Sequence, residues 1–116
     1  MVHTVAIYID GLPITHKIKQ IENLLKKKKT CQQLWNQNKP VFIKVLTTFD
    51  TNERKIPRTY SEMVLENKQS IYNIINETTG NAIITFTKGT NLYSIIDKSN
   101  NQLLNNQYKI TTQIMN

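Results

Sequence analysis

The sequence predicts an α+β fold: one domain with a mixed β-sheet of about five strands and two main helices, in the order β-α-β-α-β-β-β. Three observations predict it. Short runs rich in β-branched and aromatic residues alternate with a period of two. Two longer runs repeat apolar residues at helical spacing. Turn-forming clusters such as Asp10-Gly11 and Lys88-Gly89-Thr90-Asn91 punctuate the chain. At 116 residues the chain is large enough for one core without staples.

The first strand is His3 to Ile9. Val5, Ile7 and Ile9 alternate with Thr4, Ala6 and Tyr8, and both sets are largely apolar, so the strand is expected to be central and covered on both faces. Asp10-Gly11 ends it, and Pro13 suits the first turn of a helix. Ile14, Ile18, Ile21 and Leu25 then form an amphipathic stripe. Lys26-Lys27-Lys28-Lys29 interrupts that stripe. Four successive helical residues sweep about 300° around the axis, so Lys28 falls where a core residue is due. Either the helix ends near Lys27, or it continues with Lys28 reaching out to water. We expect a long helix broken or bent at the lysines. Thr30-Cys31-Gln32-Gln33 fits a capping box for a second short helix with Leu34 and Trp35 inward, and the run from Asn36 to Pro40 ends it.

Val41 to Phe49 is the second strand, with Val41, Ile43, Val45, Thr47 and Phe49 on one face. With the first strand it makes a βαβ unit, expected to be right-handed with parallel neighbours. Residues 50–58 are polar and aperiodic, an exposed loop. Thr59-Tyr60-Ser61-Glu62 is a second capping box. The helix it opens carries Met63, Val64, Ile71, Ile74 and Ile75, with Gly80 as its stop. Three strands are expected after it: Ala82 to Thr87, Leu92 to Asp97 joined to it as a hairpin, and Tyr108 to Met115 with one polar face.

Charge is the most informative functional signal. The chain holds 15 Lys and Arg against 8 Asp and Glu, a net +7. Residues 17–44 hold eight lysines and one acid, Glu22, so this stretch carries an excess equal to that of the whole chain. A localised excess suggests a face for a polyanion. A solvated helix face is the competing reading, since charge alone carries little specificity. The residues expected to contact nucleic-acid phosphates are Lys17, Lys19, Lys26, Lys27, Lys28, Lys29 and Lys39, with Arg54 and Arg58 from the following loop. The partner would be DNA or RNA, contacted through its backbone. No apolar run approaches the ~20 residues of a membrane span. The N-terminal run lacks a signal-peptide pattern. Cys31 stands alone, so an intracellular site is expected.

The wealth of Asn, Ile and Lys, whose codons are AT-rich, together with the short basic chain, resembles the small proteins of archaeal filamentous viruses. The resemblance is one of overall character. It implies a viral protein acting in the host cytoplasm. The abundant Asn and Gln run against a hyperthermophilic host, because those side chains are heat-labile.

Val5-Ala6-Ile7-Tyr8-Ile9-Asp10-Gly11 is similar to the opening strand of NYN-type ribonuclease domains, which belong with the PIN-like nucleases. That resemblance covers these seven residues and implies Asp10 as a Mg²⁺ ligand, with Asp50 at the end of the second strand as partner and Glu53 as a further candidate. The family continues with Asn shortly after the Gly, where Leu12-Pro13 stands here, and Asn81 occupies a position where an acid would be needed. Asp10 as a turn residue is favoured. His3 and His16 have no ligand at metal-binding spacing. Lysines around Cys31 would lower its thiol pKa, yet no base accompanies it. Trp35 and Tyr60 are the aromatics expected near element ends, where they could stack on bases.

The expected function is therefore a non-enzymatic, sequence-tolerant nucleic-acid binder without a metal or cofactor. Two alternatives stand beside it: a protein-interaction module or homodimer using the C-terminal strand as an edge, and a metal-dependent nuclease using Asp10 and Asp50.

Overall fold

A computed structural model describes residues 3–47 and 78–115. The elements are β1 (Thr4–Asp10), α1 (Ile18–Lys26), α2 (Lys28–Gln33), β2 (Phe42–Thr47), β3 (Thr78–Thr87), α3 (Leu92–Ser99), β4 (Leu103–Leu104), β5 (Tyr108–Lys109) and β6 (Thr111–Ile114). The α+β class is as the sequence predicts. Phe49, Asp50, Glu53, Arg54, Arg58, Tyr60 and the helix expected from the Thr59-Tyr60-Ser61-Glu62 capping box lie outside the described residues.

Among the described residues, four strands form a sheet in the order β2-β3-β1-β6, and β4 pairs with β5 in a small hairpin. Every neighbouring pair is antiparallel, where a mixed sheet was expected. β1 and β2 run the same way, as a βαβ unit requires, but β3 lies between them. This is the split β-α-β arrangement of ferredoxin-like folds. Sequence order fixed the direction of the two strands but not their adjacency, because β3 arrives later in the chain and pairs with both. Asp10 and the end of β2 are consequently not on neighbouring strands.

One face of the sheet is the core. Ile43, Ile84 and Ile7 form one row across it, and Val45, Ala82, Ile9 and Thr112 the next. Ile21 and Leu25 of α1, Leu34 and Trp35 after α2, and Leu92 and Ile95 of α3 pack in the same cluster. α1 has nine residues, fewer than the ~12–15 at which an isolated helix is even marginal. The full burial of Ile21 and Leu25, worth about 1.5–3 kcal/mol each, is what holds it in place. The other face of β1 differs from expectation. Thr4, Ala6 and Tyr8 are half-buried rather than enclosed.

Several elements depart from the sequence reading. Leu92 to Asp97 is helix α3, not the second arm of a hairpin. The Asn91 side chain accepts from the Ser94 N–H at 3.2 Å, an N-cap. Leu92, Ile95 and Ser99 then fall on one buried helical face. Gly80 stops no helix. It lies inside β3 at φ +85, where an added Cβ would stand 3.1 Å from the Leu12 carbonyl oxygen. The Leu12 N–H donates to the Gly80 carbonyl at 3.0 Å, so the chain after β1 presses directly on β3. Pro13 precedes the helix by a turn rather than opening it, since α1 begins at Ile18. The strand expected over Tyr108 to Met115 breaks at Ile110, whose N–H donates to Gln102 O. Its first part pairs with β4 and its second with β1.

Gly11 follows the sequence reading. It sits at φ +94, and a Cβ there would collide with the Lys109 carbonyl oxygen. The Asp10 Oδ1 accepts from the Gly11 N–H at 2.8 Å, a turn interaction of the kind Asp is suited to.

Candidate nucleic-acid interface

The lysine run is where the helix breaks. α1 ends at Lys26, Lys27 is extended at φ −54 and ψ 139, and α2 starts at Lys28. The capping box expected at Thr30 does not start the second helix. Thr30 lies inside it and serves the first helix instead.

The last carbonyls of a helix have no partner within it. Here three side chains from beyond the break supply one each. Thr30 Oγ1 donates to Leu24 O at 2.8 Å, Trp35 Nε1 to Leu25 O at 2.9 Å, and Cys31 Sγ to Lys26 O at 3.7 Å. Thr30, Cys31 and Trp35 are all buried. The break is thus a built corner. Trp35 is fully enclosed and packs edge-on to Phe86 at 6.5 Å, which removes it as a base-stacking residue.

A turn after α2 brings in the third lysine. Asn36 and Gln37 adopt positive φ values of 50 and 66. The Gln37 N–H donates to Cys31 O and the Asn38 N–H to Trp35 O. Asn36 Nδ2 donates to Ser94 Oγ at 3.1 Å, tying the turn to α3. The chain reverses, and Lys39 comes back alongside the corner.

Lys26, Lys28 and Lys39 thereby line one groove of about 420 Å³ with Cys31, Gln32 and Gln37. Among the described residues, no acid lines it. Three lysines lining one concavity favour an anion. Gln32 and Gln37 were not expected in a site. Gln32 could have been anticipated, because it lies four residues after Lys28 on the same helical face; no sequence signal pointed to Gln37.

The other expected residues are not in this groove. Lys27 and Lys29 are exposed at the corner. Lys17 and Lys19 stand at the far end of α1, about 10–13 Å from Lys26 at 1.5 Å per residue. Lys17 precedes the helix, with its N–H donating to Gln20 Oε1. Lys19 is 3.8 Å from Glu22, an exposed ion pair of little energetic weight.

Cys31 departs from expectation. Burial pushes its thiol above the ordinary value, and this outweighs the opposing pull of Lys39. Apolar enclosure destabilises the thiolate more than the nearby ammonium stabilises it. His16 faces Tyr108, with ring centroids 5.6 Å apart and Nε2 3.4 Å from the phenol oxygen. Among the described residues, no group of three or more His, Cys, Asp or Glu side chains could hold a metal ion. No described helix is long and apolar enough to cross a membrane.

No protein-family model matches the sequence, and no curated protein matches it. The functional reading rests on the residues themselves.

Proposed function

We propose that the protein binds nucleic acid through its phosphates, with Lys26, Lys28 and Lys39 as the central contacts. The observation that supports this is their convergence. Residues on α1, α2 and the following turn line one groove, with no acid among its described lining residues. A merely solvated charge run would scatter its ammonium groups. Here the corner at Lys27 and the reversal at Asn36-Gln37 bring three together. Lys27, Lys29, Lys17 and Lys19 extend the positive field along the helices and would raise the rate of encounter.

Lysine is a hydrated point charge without the planar fork that reads a guanine edge. Contacts of this kind position a backbone and carry no sequence information. Binding should be sequence-tolerant, and each phosphate neutralised should release counterions. Fluorescence anisotropy with labelled DNA and RNA over a salt series tests the reading. Affinity that falls steeply with salt is the expected result. Absence of binding at low salt would overturn it.

A further inference from the structure

The sheet has a second face, opposite the core. Strand pairing places Phe42, Thr85 and Ala6 in one row across it, and Lys44, Ile83, Tyr8 and Gln113 in the next. Among the described residues, every helix packs on the other side, in the core cluster. Phe42 is 61% exposed although it sits in a strand. Tyr8 lies half-buried in central β1 with its neighbours Ile83 and Gln113 beside it.

We infer that this face takes the bases of a single-stranded nucleic acid, with the rings of Tyr8 and Phe42 as stacking platforms. The inference rests on the phosphate-binding reading and names the form of the ligand. Three observations support it. First, two aromatic residues stand on this face beside Ile83 and Thr85, their backbone positions roughly 12 Å apart from strand spacing and rise, and every base offers a π-face to such a ring. Second, Thr85, Asn81 and Gln113 surround them. A second apolar sheet would bury those hydroxyl and amide groups unpaired at a cost, whereas base edges offer them partners. Third, the charge fits. Lys39 of the groove lies three residues before Phe42, about 10 Å along extended chain, so the groove and the platform meet at the same edge of the sheet. A backbone held at Lys26, Lys28 and Lys39 could pass around β2 and lay its bases across the sheet. A duplex keeps its base faces stacked inside and could use the lysines alone.

Phe42→Ala and Tyr8→Ala, titrated by anisotropy against labelled oligothymidylate and against a duplex of equal length, test this. Loss of either ring should weaken single-strand binding about 5- to 150-fold, the range for one stacked base. Duplex affinity and the salt slope should stay at the wild-type level. Tyr8→Phe should keep single-strand affinity. Phe42 is 61% exposed, so its variant reports on the face even if Tyr8→Ala fails to fold. Wild-type single-strand affinity in Phe42→Ala, with duplex and salt behaviour intact, would overturn the inference while leaving the phosphate reading standing. A wild-type dimer that becomes monomeric in Phe42→Ala, again with unchanged affinity, would assign the face to a second copy and also overturn it. No binding of either oligonucleotide by the wild type would remove the phosphate reading beneath it.

Discussion

The indole Nε1 of Trp35 donates a hydrogen bond to the main-chain carbonyl of Leu25 at 2.9 Å, across the break between the first two helices. This bond, with that from Thr30 to Leu24, holds the corner at which Lys26 and Lys28 come to line one groove with Lys39. The corner depends on buried side-chain donors meeting main-chain acceptors.

Trp35→Phe keeps an aromatic ring against Phe86 but leaves the Leu25 carbonyl without its donor. A buried acceptor deprived of its partner costs about 1–3 kcal/mol. We expect a loss of that size in urea unfolding, seen as a lower midpoint. Thr30→Val removes the neighbouring donor and should cost a similar amount. A variant as stable as the wild type at both positions would show that the corner is held by packing alone.

Cys31 should react slowly with thiol reagents in the folded protein. Its thiolate is disfavoured by burial, and the thiolate is the nucleophile. Alkylation at mildly alkaline pH should lag behind that of the urea-unfolded chain. The linkage has a definite sign. The folded-state pKa lies above the unfolded one, so between the two the unfolded chain holds fewer protons and stability falls as pH rises. The contribution is fully present below pH 9 and declines as pH rises past about 9.0. Cys31→Ala should remove that part of the decline. Equal reactivity in folded and unfolded chains would contradict the assignment.

Asn100 guards the outer edge of the sheet. Its Oδ1 accepts from the Thr112 N–H of β6 at 3.0 Å, occupying a donor that an added strand would otherwise use. Just inside, the Ser99 and Thr112 hydroxyls meet at 2.9 Å, and Ser99 donates to Ile95 O. Asn100→Ala should cost about 0.5–1.5 kcal/mol and, more tellingly, expose that edge. Light scattering over a concentration series should show a rise in mass that the wild type does not show. An unchanged mass would mean that the edge is protected by other means.

The sequence made some of these relationships legible and concealed others for identifiable reasons. The helix break was readable because Lys28 falls on the apolar stripe of Ile14, Ile18, Ile21 and Leu25. Leu34 and Trp35 were expected inward as part of a second short helix; both are buried, though that helix starts at Lys28 and ends just before them. The helix at Leu92 was concealed by Tyr93, Ile95 and Ile96, whose β-branched and aromatic side chains favour strands locally. The Asn91 cap and the core contacts of Leu92 and Ile95 overrode that preference. The insertion of β3 between β1 and β2 is a non-local pairing that no local pattern encodes. The groove itself was half visible. Lys26 and Lys28 are neighbours in the chain, but Lys39 joins them only through the left-handed turn at Asn36 and Gln37, a feature of the folded backbone.

The most direct test of the account is the salt dependence of nucleic-acid binding in a Lys26→Gln, Lys28→Gln, Lys39→Gln triple variant. Each lysine that neutralises a phosphate adds close to one to the slope of log affinity against log salt. The triple variant should therefore bind more weakly at low salt, with a slope shallower by about three. A control with Lys17→Gln and Lys19→Gln, at the far end of the first helix, should change the slope by less. Wild-type affinity and wild-type slope in the triple variant would contradict the claim that the groove between the two helices is where phosphates bind.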